Sequence, residues 1–138
     1  MEATQQSDII ERLRRLGLRI AIDDFGTGYS SLSYLTNYPV DRLKIAQQIV
    51  FGVPSEVRHA AVVRTAISLA HELGIQCVAE GIENAAQALF LVAANCKYGQ
   101  GYWFSRPVTT DRATLLLRAG VIRRFDDVGK LDDPARAA

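Results

Sequence analysis

Apolar and polar positions alternate along this chain in two distinct rhythms. From Ser7 to Leu16 the apolar residues are Ile9, Ile10, Leu13 and Leu16, a helical spacing that Gly17 stops. Leu18 to Ile22 is a short apolar run rich in β-branched residues, closed by two aspartates, and predicts a strand. A short helix follows from Ser30 to Leu35, ended by Asn37 and Pro39, and then a brief strand from Leu43 to Ile45. Val57 to Leu73 predicts a long amphipathic helix stopped by Gly74, and Ile75 to Ala79 another strand. Asn84 is placed to cap a helix running to Ala94. Tyr98 to Ser105 reads as a strand, and Thr110 to Ala119 as a helix capped by Thr109 or Thr110 and stopped by Gly120.

The order is one helix followed by four strand–helix units. Strands alternating with helices predict a parallel sheet with right-handed crossovers. The strands read as apolar on both faces, as expected where helices cover a sheet or a barrel encloses it. After Val121 the chain turns polar, through Arg123, Arg124, Asp126, Asp127, Lys130, Asp132 and Asp133, which predicts a flexible tail over 121–138.

Composition narrows the picture. The 138 residues suffice for one ordinary domain. A net charge of +1 gives no field that draws in a nucleic-acid polymer. Arg12, Arg14 and Arg15 share their helix with acids and read as a solvated face. No run approaches the ~18 apolar residues of a membrane span, and the start is not that of a signal peptide. Cys77 and Cys96 read as small buried apolar residues, so a reducing cytoplasm is the expected compartment.

The chemistry lies where the strands end. Asp23 and Asp24 follow the first, Lys44 sits in the second, Glu80 and Glu83 follow the third, and Gln100 lies in the fourth. In a parallel sheet these ends share one edge, where α/β proteins place their ligands. Adjacent carboxylates repel and raise each other's pKa unless a cation lies between them. A divalent metal with hard oxygen ligands supplies one, and two metals ~3.5–4 Å apart form a clamp for attack on a phosphodiester. Taken singly, each residue has a plainer reading: turn and cap for the aspartates, a solvated stem for Lys44, a loop carboxylate for Glu80, a turn for Gln100 and an ion-pair partner for Arg106. Their recurrence on successive strand ends favours the site.

The glycines of Gly26-Thr27-Gly28-Tyr29-Ser30-Ser31 let backbone approach a phosphate, but Ser31 stands where a dinucleotide fingerprint needs a third glycine. Asp24-Phe25-Gly26 lacks the preceding motifs of a kinase. A receiver-like module also places an acidic pair and a lysine on one edge, yet no lone aspartate ends the strand before Lys44.

The run Asp23-Asp24-Phe25-Gly26-Thr27-Gly28-Tyr29-Ser30-Ser31-Leu32 resembles the signature loop of EAL domains. Asp41-Arg42-Leu43-Lys44-Ile45, Ala79-Glu80-Gly81-Ile82-Glu83, Gln100-Gly101-Tyr102 and Phe104-Ser105-Arg106-Pro107 follow in the family's order, so the resemblance spans about Ser7 to Gly120. EAL domains are (β/α)8 barrels that linearise cyclic di-GMP with Mg²⁺ or Mn²⁺. The resemblance therefore implies an α/β fold, half of a (β/α)8 TIM-type barrel with about four parallel strands, in a partial domain over 1–120. It implies that Asp23 bridges two metals, that Asp24 and Glu80 serve the second, and that Lys44 contacts the attacking water, with Lys44 and Glu80 the catalytic pair. Gln100, Gly101, Arg106 and Pro107 would bind ligand, Glu83 would stand behind them, and the loop of Gly26, Thr27, Gly28, Tyr29, Ser30 and Ser31 would couple the site to dimerisation.

Two departures shape the expectation. The part of the family's barrel that carries the Glu-Ala-Leu motif, an asparagine and a further glutamate has no counterpart before Ser7. Ala46 stands where the family usually has an acid two residues after the lysine, and it can neither accept a proton nor orient Lys44. The chain is thus expected to be a truncated, degenerate relative, inactive alone, exposing apolar side chains on the face turned toward the absent half. It is expected to pair as a homodimer or with another EAL chain, or to rearrange as an open sheet. The alternatives are a phosphodiesterase active once a partner completes it, and a non-catalytic interaction module.

Overall fold

The computed structural model describes residues 2–28 and 32–120; the tail expected over 121–138 and Tyr29, Ser30 and Ser31 lie outside them. The elements run α1 (Glu2–Arg15), β1 (Ala21–Phe25), α2 (Leu32–Asn37), β2 (Arg42–Ile45), α3 (Gln47–Phe51), α4 (Val57–Glu72), β3 (Gln76–Ala79), α5 (Ala85–Ala93), β4 (Tyr98–Gly99) and α6 (Thr110–Ala119). The four strands form one parallel sheet in sequence order, β1-β2-β3-β4. This is the expected α/β alternation.

Parallel register sorts the side chains onto two faces. Leu43 and Ile45 of β2 pair with Cys77 and Ala79 of β3, and all four are buried beneath the helices. Helix α4 lies on β2 and β3, sinking Ala60, Val63, Ala66, Ile67 and Ala70 into the same core, which Val50, Ile82, Leu91 and Trp103 complete. Both cysteines are buried free thiols; Cys96 Sγ donates to the Tyr98 carbonyl at 3.3 Å. The Cys96 sulfur, together with burial, pushes the Cys77 thiol up.

The other face is polar, which corrects the expectation of strands apolar on both sides. Arg42 Nε and Nη2 donate to Gln76 Oε1 at 3.2 and 2.8 Å, and Gln76 Nε2 reaches the Tyr98 hydroxyl at 3.5 Å. In β3 this face carries Gln76 and Val78, so hydrogen-bonding and apolar groups share it. Among the described residues, exposed large apolar side chains include Tyr98 on this face, Leu16 beside α1, and Leu115 and Leu117 on α6.

Helix α1 starts at Glu2 rather than Ser7, and two strand boundaries and one short helix also differ from expectation. Strand β1 begins at Ala21 rather than Leu18, because the Asp41 carboxylate accepts from Ile20 N–H at 2.7 Å and pairing with β2 starts one residue later. Strand β4 ends at Gly99 rather than Ser105, since Gly101 turns the chain and the Trp103 N–H bonds Ile82 O at 2.9 Å. Helix α3 went unanticipated: five residues are too few to display a period, although Ile49 and Val50 are buried.

Candidate active site

The two aspartates expected after the first strand lie inside it, on a bulge. Ile22 pairs with Leu43 and Phe25 with Ile45, so Asp23 and Asp24 together oppose Lys44 alone. In a regular strand neighbouring side chains point to opposite faces. Here Asp24 takes φ 53, the left-handed region that aspartate enters more readily than most residues, and the bulge turns both carboxylates toward one place. The Asp24 carbonyl is held by the Thr27 hydroxyl at 2.9 Å.

Across the sheet edge, Lys44 Nζ lies 3.0 Å from Asp23 Oδ1 and 2.5 Å from Glu80 Oε1. Gln100 Nε2 donates to the same Glu80 oxygen at 3.1 Å. The strands therefore line up Asp23, Lys44, Glu80 and Gln100 in one polar row. Carboxylate oxygens of Asp23, Asp24 and Glu80 fall within 4.8 Å of one another. Three carboxylates against one ammonium leave the cluster formally two charges negative. Hard oxygen donors so arranged suit Mg²⁺, Mn²⁺ or Ca²⁺ rather than a soft metal. The hydrogen bond from Lys44 holds the Asp23 carboxyl below its ordinary range, against a small opposing effect of burial. Lys44 in turn is raised, first by Glu80 and then by Asp23.

The remaining candidates are dispersed around this row. A cavity of about 470 Å³ is lined by Glu83, Gln100, Gly101, Arg106 and Pro107 together with Gln47 and Tyr102. Arg106, expected to contact ligand or to form an ion pair, lies over the Tyr102 ring at 4.6 Å. Gly26 is half-buried beside Ile49 and Val62, while Thr27 and Gly28 are exposed. Ala46 is fully buried and begins α3 without a side-chain hydrogen bond to the helix's free N–H groups. Sequence reasoning missed Gln47 and Gln48, which border a second cavity of about 580 Å³ with Asp24, Phe51 and Glu80. Their place directly after the lysine-bearing strand was the available signal.

The EAL domain family matches residues 1–107. The chain belongs to the EAL domain family. It is 42% identical over 122 residues to cyclic di-GMP phosphodiesterase NbdA of Pseudomonas aeruginosa, covering 88% of this chain and 15% of NbdA. The EAL domain of Mycobacterium smegmatis DcpA superposes with a TM-score of 0.83 at 37% identity, over 89% of this chain and 55% of that one. Klebsiella pneumoniae BlrP1, solved with manganese and cyclic di-GMP, superposes with a TM-score of 0.70 at 36% identity, over 75% of this chain and 26% of BlrP1. The four strands thus correspond to part of a TIM-type EAL barrel, and the chain spans a small fraction of the length of the curated relatives it matches. Among the described residues no helix is long and apolar enough to cross a membrane.

Proposed function

We propose that this EAL chain uses Asp23, Asp24 and Glu80 to hold a divalent cation and takes cyclic di-GMP against it, in a cytoplasmic signalling setting. The observation that carries the reading is the convergence of these three carboxylates, from β1 and the end of β3, about Lys44. The NbdA and BlrP1 likenesses supply the ligand and the metal class. A cation in this place polarises phosphoryl oxygens and lowers the pKa of water.

The chain's own residues do the rest. Lys44 bridges Asp23 and Glu80, Gln100 fixes the orientation of Glu80, and Glu83, Gly101, Arg106 and Pro107 line the neighbouring cavity for the nucleotide. The stacked Arg106 presents a guanidinium to phosphate.

By itself the chain binds without turnover. Three carboxylates fall short of the ligands a two-metal clamp needs, and Ala46 adds none. Among the described residues β1 and β4 are the outer strands of the sheet, and their edges are the seam along which a second copy or another EAL chain completes the site. Titrating cyclic di-GMP calorimetrically into the chain with Mn²⁺, with light scattering on the same sample, tests this. Micromolar binding by a dimer, with no linear pGpG on chromatography, is expected. Absent binding contradicts the ligand assignment, and steady release of pGpG by the chain alone contradicts its inactivity. Ala46→Asp, which restores the acid that the family usually carries two residues after the lysine, is expected to strengthen Mn²⁺ binding.

A further inference from the structure

Gln87 is the one buried polar side chain among the described residues, 2% exposed, and it is bonded on all sides. Its Oε1 accepts from the Glu83 N–H at 2.8 Å and the Asn84 N–H at 3.3 Å, while the Gln87 backbone N–H donates to Asn84 Oδ1 at 2.9 Å. These bonds make a capping box at the start of α5. A glutamate would serve that box equally well, with a charge that suits a helix N-terminus. The amide nitrogen is what glutamine adds, and it donates at 3.4 Å to the Phe51 carbonyl, 36 residues away. Phe51 ends α3, so its carbonyl has no partner further along that helix.

The tie joins the two segments that follow the lysine-bearing and glutamate-bearing strands. Helix α3 starts two residues beyond Ile45 of β2, and the loop from Glu80 to Asn84 leaves β3. Between them lies the 580 Å³ cavity bordered by Asp24, Gln47, Gln48, Phe51 and Glu80. The same loop is pinned at two further points. Gly81 takes φ 71 and leaves no room for a Cβ beside the Gln47 side chain. Gly101 leaves none beside the Ile82 backbone, and Ile82 bonds Gln100 O and Trp103 N on either side. Gln87 supplies the third constraint, and it alone reaches the far end of α3.

We propose that Gln87 is a positioning residue: its amide N–H, through Phe51, sets the spacing between α3 and the Glu80–Asn84 loop and so holds Glu80 where it meets Asp23 and Asp24. This deepens the cation-site reading above and rests on it. Three variants of the full chain separate positioning from helix capping. Gln87→Glu keeps both accepted bonds and, ionised at neutral pH, loses only the donated one. Gln87→Met loses both kinds and carries the comparison if Gln87→Glu does not fold. Asn84→Ala removes the reciprocal cap and leaves the tie to Phe51.

Calorimetric titration with Mn²⁺ is expected to show affinity reduced by about tenfold in Gln87→Glu and Gln87→Met, the range for groups that orient metal ligands. Asn84→Ala is expected to melt at lower temperature with unchanged Mn²⁺ affinity. Wild-type affinity in both Gln87 variants, or an equal loss in Asn84→Ala, overturns the proposal. If the unaltered chain takes no Mn²⁺, the cation reading fails by itself, and amide hydrogen exchange decides this one. Faster exchange at Gly81 and Ile82, whose amides do not bond Gln87, supports the tie when seen in a Gln87 variant; unchanged exchange at both overturns it.

Discussion

On one face of the sheet Leu43, Ile45, Cys77 and Ala79 meet the helices and are sealed from water; on the other, from the same strands, Arg42, Lys44 and Gln76 stand half-exposed in hydrogen-bonded rows. One residue of register separates the two sets, yet they answer to different physics. The buried face gains from apolar area removed from water, and every methylene there counts. The open face gains little stability from each contact, because water competes for every bond, and its residues are placed for what they can hold. The bulge at Asp23 and Asp24 is the point where the second demand overrides the first. A regular strand would send one aspartate to each face, whereas the bulge, with Asp24 in a left-handed conformation, delivers both to the open side.

Substitutions sharpen this division. Ile45→Ala removes a fully buried side chain from the sealed face and is expected to cost about 3 kcal/mol in urea unfolding. A loss under ~1 kcal/mol would mean that this face is not the main core. Asp24→Asn keeps a residue tolerant of the left-handed conformation while deleting one carboxylate. It is expected to weaken Mn²⁺ binding about tenfold, or ~1.4 kcal/mol, with little change in unfolding. A large loss of stability instead would show the bulge to be structural. Asn84→Ala, at the cap of α5, is expected to cost about 1 kcal/mol. Arg42→Ala on the open face is expected to cost only about 0.5 kcal/mol, since its hydrogen bonds to Gln76 are shared with solvent. A loss there matching that of Ile45→Ala would erase the distinction between the faces.

Much of this was legible in the sequence, for identifiable reasons. The alternation of strand and helix came through because α4 and α5 carry clear periods, with a clean stop for α4 at Gly74 and a clean start for α5 at Asn84. Asp23, Asp24, Lys44, Glu80 and Gln100 were found together because parallel topology brings successive strand ends to one edge. What escaped depended on contacts distant in sequence. The start of β1 is set by Asp41 bonding Ile20 across 21 positions. The bulge exists only relative to β2, and the end of β4 follows from Ile82 pressing on Gly101. The polarity of the open face was hidden because Arg42 and Gln76 each look like solvated residues until the register sets them side by side. Helix α3, with its two glutamines beside the site, was too short to display a pattern.

The central claim is that the acidic row at the sheet edge is a cation site, and calorimetric titration of Mn²⁺ into the unaltered chain and its Asp23→Asn variant tests it most directly. Saturable binding by the unaltered chain, weakened at least about tenfold in Asp23→Asn, is the predicted result. Absence of binding, or equal binding by both proteins, would contradict it.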